Sequence, residues 1–255
     1  ISPGRKSDKF GISFEKIEEV INIIKKSDYL RLKGISCHIG SQINKTEIYE
    51  KVFIKMKKAE KIISKHNIII DCLDLGGGFG ITYNNEKKLD IKKLSNLIKN
   101  NFKNENYSIS IEPGRYLVAN AGILITKVLY TKKNGNINFL ITDAGMQSFM
   151  RPAMYNSFHK VISLSKNNLN EKYTIAGPIC ESTDILAKDI ELPTQKQGNF
   201  LSICDTGAYG FVMASNYNTH TKPSEILIYE NQYAVIRKKE EISDLINKDI
   251  IAKWL

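Results

Sequence analysis

Three short apolar runs in the first 115 residues each stop at a polar or glycine-rich cluster. Residues 32–37 lead into His38-Ile-Gly-Ser41, residues 68–75 into Gly76-Gly-Gly-Phe-Gly80, and residues 108–111 into Glu112-Pro-Gly-Arg115. Amphipathic patterns of helical period cover residues 14–24, 46–65 and 91–99, with Ser13 placed to cap the first. Strands alternating with helices predict a parallel sheet, either open or closed into a barrel. Both architectures build their ligand sites just beyond the C-terminal ends of the strands. Three consecutive strands, each delivering one such cluster, predict one shared site.

After about residue 120 the pattern changes. Residues 123–130, 139–142, 200–204 and 226–229 are β-type runs separated by polar turns, and Asn134-Gly135 signals a hairpin. The predicted organisation is an α/β part over residues 1–119, then a mainly antiparallel β domain over residues 120–255 with a short helical tail from Ile242. No internal repeat or low-complexity linker is evident.

Composition narrows the partners. Of 255 residues, 42% are hydrophobic and 25% charged, the balance of a soluble globular chain. A net charge of +10 would suit a phosphate backbone, but the basic residues are mostly lysines dispersed along helical stretches. No basic stripe with interleaved aromatics is present, so nucleic acid is not an expected partner. Cys37, Cys72, Cys180 and Cys204 are scattered, without a Cys-x-x-Cys pair or a nearby His at metal-ligand spacing. That argues against both a zinc site and a disulfide scaffold and fits a reducing compartment, hence the cytoplasm. No apolar run is long enough to cross a bilayer, and no signal peptide is evident. The sequence starts at Ile1 rather than Met, which places the expected N-terminus upstream.

Each motif taken alone admits a plain reading. Gly76-Gly-Gly-Phe-Gly80 lets backbone N–H groups approach an anion, or makes a tight strand–helix turn; it has neither P-loop nor dinucleotide spacing. Glu112-Pro-Gly-Arg115 is an acid and a base at a ligand, or a type II turn with a surface ion pair. His38 is a site residue or a packed strand-end histidine, while His66, His159 and His220 read as surface residues. Arg151-Pro-Ala-Met-Tyr155 offers a guanidinium and a phenol for a carboxylate, or for an interface. Cys180 beside Glu181 joins a proton donor to an amine-binding carboxylate; a lone buried cysteine would be inert. Tyr209, in Asp205-Thr-Gly-Ala-Tyr-Gly210, suits a ligand contact or a strand bend.

Read together, these segments resemble the diaminopimelate decarboxylase family, fold-type III pyridoxal-phosphate (PLP) enzymes akin to alanine racemase and ornithine decarboxylase. The resemblance rests on His38-Ile-Gly-Ser-Gln42, Leu73-Asp-Leu-Gly-Gly-Gly-Phe-Gly80, Glu112-Pro-Gly-Arg-Tyr-Leu-Val-Ala-Asn-Ala-Gly122, Asp143-Ala-Gly-Met146, Arg151-Pro-Ala-Met-Tyr155, Gly177-Pro-Ile-Cys-Glu-Ser182, Gly207-Ala-Tyr-Gly-Phe211 and Met213-Ala-Ser-Asn-Tyr-Asn218. They stand in family order. Cys-Glu, where ornithine decarboxylases carry Cys-Asp, favours the diaminopimelate branch. Thr183 and Thr206 depart from the family's commoner residues without touching a charged role.

The implied fold is the C-terminal portion of a PLP-binding (β/α)8 barrel followed by the β domain. By resemblance, His38 stacks on the cofactor ring and Glu112 keeps the ring nitrogen protonated. Ser41, Gly77, Gly78, Gly114 and Arg115 surround the phosphate, and Tyr209 contacts cofactor or substrate. Arg115, Arg151 and Tyr155 hold the distal carboxylate of meso-diaminopimelate, and Glu181 its distal ammonium. Cys180 protonates the carbon that has lost carbon dioxide, releasing L-lysine. Cys180 and Glu181 reach the neighbouring subunit's site, so the resemblance also implies a homodimer. The family's Schiff-base lysine sits on the first barrel strand in a motif like Tyr-Ala-Val-Lys-Ala-Asn, and nothing in this sequence matches it. About three of eight barrel strands are expected here, and such a fragment should leave strand edges and core exposed. The alternatives are an ornithine-, arginine- or carboxynorspermidine-type decarboxylase, or an inactive homologue that regulates a complete subunit.

Overall fold

Residues 9–103 and 106–254 are described by a computed structural model, which divides the chain into two units, Ile1–Val118 and Ala119–Leu255. The first unit runs through a 3-10 turn (Phe14–Lys16), α1 (Ile17–Lys25), β1 (Gly34–Ser36), α2 (Thr46–Lys65), β2 (Cys72–Gly77), α3 (Ile91–Phe102), β3 (Ser108–Glu112) and α4 (Gly114–Val118). Ser13 precedes the first turn, but its side chain makes no cap; its carbonyl accepts the Lys16 N–H instead. Asp90 does cap α3, accepting the Lys93 N–H at 2.9 Å.

The three strands form a parallel sheet in the order β1-β2-β3, with Gly34 opposite Cys72 and Cys72 opposite Ser108. Along α2, Tyr49, Phe53, Met56, Ala59 and Ile63 recur every three or four residues and are all buried. They pack with Leu73 and Leu75 of β2 and with Leu94 and Phe102 of α3 into one core. Central β2 is the best-buried strand; β3 is exposed at Ser108, Ser110, Ile111 and Glu112. Among the described residues β1 and β3 each pair on one side only, which matches the expectation of exposed edges.

The second unit contains β4 (Leu124–Asn134), β5 (Ile137–Thr142), α5 (Arg151–Tyr155), β6 (Val161–Ser163), β7 (Asn170–Ala176), β8 (Ile185–Pro193), β9 (Phe200–Ile203), β10 (Glu225–Tyr229), β11 (Gln232–Arg237) and α6 (Ile242–Ile246). Six strands form a sheet in the order β6-β9-β4-β5-β7-β8, antiparallel except for the parallel β5–β7 pair. Asn134 and Gly135 (φ +57°) make the predicted hairpin between β4 and β5. Val128, Leu140, Ile175, Leu186, Leu201 and Ile203 centre its core. Strands β10 and β11 form a separate hairpin whose Leu227, Tyr229, Tyr233 and Val235 are exposed. Among the described residues no helix is long and apolar enough to cross a membrane.

Candidate active site

In the first unit the predicted clusters converge beyond the C-terminal ends of the parallel strands. The glycine run turns away from β2 under several restraints. Asp74 accepts the Gly76 N–H at 2.8 Å, and the buried Tyr49 hydroxyl donates to the Gly77 carbonyl at 3.2 Å. Ile43 pairs with Phe79 in a parallel bridge, and the Gln42 side chain accepts the Ile81 N–H at 3.2 Å. Neighbouring backbone already explains the glycines themselves. A Cβ at Gly76 would lie 2.0 Å from the Cys37 carbonyl oxygen, at Gly77 1.9 Å from that of Glu112, and at Gly78 2.1 Å from that of Gly40. Gly76 and Gly78 also have φ of +71° and +77°. The run is thus a tight close-packed turn, whatever it binds. At Gly114 a Cβ would meet nothing within 4 Å, so space is open beside that backbone.

Arg115, on α4, is only 8% exposed. Its guanidinium donates to the Ser41 hydroxyl at 3.1 Å and to the Tyr83 hydroxyl at 2.6 Å. Two hydroxyls orient one buried cation, a constellation suited to a phosphate. Tyr83 carries no motif of its own and escaped the sequence reading. His38 and Glu112 are exposed at the ends of β1 and β3. Burial pushes the Cys37 thiol up to about 11, and the Asp74 and Glu112 carboxylates add to the effect. The thiolate is the nucleophile, so iodoacetamide at pH 8 should label exposed Cys180 well before Cys37. Peptide mass mapping checks this; Cys37 labelled first would contradict it.

The second unit brings Arg151 and Tyr209 together. Arg151, 5% exposed at the start of α5, sits with its guanidinium carbon 5.8 Å from the Tyr209 ring centroid. Tyr209 is exposed and holds a left-handed backbone, φ +58°. Tyr155, one helical turn beyond Arg151, is also exposed. His159 is a correction: expected at the surface, it is 2% exposed and stacks edge-on against Phe149. Its Nε2 accepts the Arg151 Nε–H at 3.2 Å, and its Nδ1 lies 2.9 Å from the Cys204 carbonyl oxygen. That pattern selects the neutral tautomer protonated on Nδ1. No local sequence signal distinguishes such a histidine from a surface one.

Cys180 and Glu181 occupy the turn between β7 and β8. Cys180 is exposed, and the Glu181 carboxylate accepts the Thr183 N–H at 3.2 Å and the Ser182 hydroxyl at 3.3 Å. The Thr183 contacts foremost hold its carboxyl below the ordinary glutamate value. The turn therefore presents a thiol next to a carboxylate that stays ionised. Among the described residues no cluster of His, Cys, Asp and Glu could hold a metal ion.

A family model described as pyridoxal-dependent decarboxylase, C-terminal sheet domain, matches residues 22–207. The chain belongs to the pyridoxal-dependent decarboxylases. It is 38% identical to the diaminopimelate decarboxylase of Archaeoglobus fulgidus, over 100% of this chain and 62% of that protein. With that of Haemophilus influenzae it shares 36% identity over 96% of this chain and 60% of the relative. Its fold matches the crystal structure of the Methanocaldococcus jannaschii diaminopimelate decarboxylase with a TM-score of 0.92 at 36% identity, covering 98% of this chain and 59% of that one. The Helicobacter pylori enzyme complexed with L-lysine gives a TM-score of 0.91 at 37% identity, over 97% and 62%. A lysine/ornithine decarboxylase from Vibrio vulnificus shares the fold, with a TM-score of 0.78. The chain thus has the fold-type III architecture, the later part of a (β/α) barrel followed by a mainly antiparallel β domain. It spans about 60% of the length of the curated relatives it matches.

The residues present fit pyridoxal phosphate. Arg115 with Ser41 and Tyr83 would take the phosphate, the open space at Gly114 admits a ligand, and Glu112 and His38 stand free at the strand ends.

Proposed function

We propose that the protein of which this chain is part decarboxylates meso-2,6-diaminopimelate to L-lysine and carbon dioxide with pyridoxal phosphate. The observation that carries this reading is the Cys180–Glu181 turn. An exposed thiol able to give a proton stands beside a half-buried carboxylate ready for a second ammonium, which a diamino acid has. Identities of 36–38% to diaminopimelate decarboxylases along nearly the whole chain support the same substrate.

When bound, pyridoxal phosphate supplies the electron sink that lets an α-amino acid lose its carboxylate. The chain's own residues bind and orient. Arg115, steadied by Ser41 and Tyr83, holds the phosphate dianion, helped by backbone N–H groups at Gly77, Gly78 and Gly114. His38 would stand against the cofactor's ring, and Glu112 would hold a proton at the ring nitrogen. Tyr209 would pack beside the substrate, with Arg151 and Tyr155 taking its distal carboxylate and Glu181 its distal ammonium. Cys180 donates the proton that completes lysine. In this reading residues 1–119 are the partial barrel and residues 120–255 the β domain. The protein works in the cytoplasm as a homodimer whose partners share active sites, and the exposed apolar β10–β11 hairpin supports such an association.

The test uses the protein isolated from its source, supplied with pyridoxal phosphate and, separately, meso-diaminopimelate, ornithine, arginine and carboxynorspermidine. Carbon dioxide and L-lysine from diaminopimelate alone are expected, with one pyridoxyl group retained after borohydride reduction. Release from another substrate instead would move the assignment to that branch. No release and no adduct would favour an inactive homologue, a reading kept because no lysine here lies in the family's Schiff-base motif.

A further inference from the structure

The Asp184 carboxylate is 2% exposed and has no ion-pair partner among the described residues. It is nevertheless fully engaged. Oδ2 accepts the Ile179 N–H at 2.8 Å, and Oδ1 accepts the Met146 N–H at 2.6 Å. The first belongs to the turn that carries Cys180 and Glu181. The second belongs to the loop between β5 and α5, five residues before Arg151. The backbone of Asp184 closes the same turn: its carbonyl accepts the Gly177 N–H at 3.0 Å, and its N–H donates to the Glu181 carbonyl at 3.0 Å.

Two glycines make room for this carboxylate. A Cβ at Gly145 would lie 2.5 Å from Oδ1, and one at Gly177 would lie 2.3 Å from Oδ2. Neither glycine has a positive φ, so the need for glycine comes from the close approach of the carboxylate and of the two loops to each other. Gly145 and Gly177 would be 2.4 Å apart at the Cβ of one and the Cα of the other.

Burying a carboxylate without an ion pair is costly, and the two N–H bonds offset that cost only while both loops keep their present geometry. A surface turn that served only to reverse the chain between β7 and β8 would not need it. We infer that Asp184 is a positioning residue for the proposed reaction: it locks the Cys180–Glu181 turn, which is offered to the partner's site, to the loop preceding Arg151, which serves this chain's own site, so that each keeps the arrangement its site needs. The inference rests on the decarboxylase reading for what Cys180, Glu181 and Arg151 do, but the lock itself is tested without activity.

Two measurements on the complete protein decide it. In the unmodified protein, hydrogen exchange should show the amides of Met146 and Ile179 protected, although Cys180 next door is exposed; exchange at open-loop rates would overturn the lock. In Asp184→Asn, an NH2 group faces one of the two N–H donors, and that loop should loosen. Faster exchange at Met146 or Ile179 is expected, together with a kcat for diaminopimelate lowered roughly 10²-fold, the scale of a small misplacement. Cofactor absorbance should stay that of the unmodified protein. Faster exchange with unchanged kcat would overturn the positioning role. Should Asp184→Asn fail to fold, the exchange result on the unmodified protein still decides the lock. A protein inactive on diaminopimelate but protected at both amides would sink the decarboxylase reading and leave the lock standing.

Discussion

Gly76→Ala is expected to destabilise the first unit by roughly 2–5 kcal/mol, combining a left-handed backbone with a backbone clash. The position has φ +71°, where an L side chain is strained, and the new Cβ would lie 2.0 Å from the Cys37 carbonyl oxygen. A carbonyl cannot rotate away as a flexible side chain can. Cys37 is itself held to β2 through its N–H on the Asp74 carbonyl, and Asp74 in turn accepts the Gly76 N–H. Relief would therefore have to part β1 from β2. A domain with about 5–15 kcal/mol of stability loses a large fraction of it. Gly114→Ala is the internal comparison. Its Cβ meets open space and begins a helix, so stability should hold or rise by up to about 1 kcal/mol. Urea unfolding of both variants checks the contrast. Equal midpoints for Gly76→Ala and the parent would mean the turn is looser than described.

Cys180→Ala should lower kcat for diaminopimelate by about 10²–10⁴-fold, the usual contribution of a positioned proton donor. Cys180 is exposed on a turn and is not part of the second unit's described core, so the melting temperature should scarcely change. Loss of rate without loss of fold separates a chemical role from a structural one. Cys180→Ser should not rescue, because a serine hydroxyl is a far poorer acid than a thiol. Glu181→Gln should behave differently. It keeps the shape of the turn but removes the charge, so the larger effect should fall on KM. Carbon dioxide release with quantified lysine reads all three variants. A Cys180→Ala protein keeping more than a tenth of the parent kcat would remove Cys180 from the chemistry.

Much of the scaffold, and the residue types of the candidate site, are legible in the sequence. The α2 pattern, with apolar residues every three or four positions, marked residues 46–65, the range that the helix occupies. The β-type runs and Asn134-Gly135 located β4, β5, β9 and β10, since a half-buried strand alternates and a two-residue turn needs its own residues. Strands β6, β7, β8 and β11 were missed. The first has three residues, β7 opens with exposed Asn170, Glu171 and Lys172, and β8 is interrupted by Asp189 at φ +54°. Short or bulged strands blur the alternation on which such reading depends.

The candidate chemical groups are visible as neighbours in the sequence: a thiol beside a carboxylate, and an arginine after Pro-Gly. Their supports are not. Tyr83 meets Arg115 across 32 residues, His159 reaches the Cys204 carbonyl across 45, and Asp184 reaches Met146 across 38. The parallel pairing of β5 with β7 is of the same kind, a choice among partners that alternation alone leaves open. By itself, the sequence determined the elements, the apolar face of each, and the identity of the groups able to do chemistry, because these follow from neighbours three or four residues away. Only the tertiary structure decided which buried polar atoms satisfy one another, because a donor's partner is set by packing between distant segments and leaves no periodic trace in either.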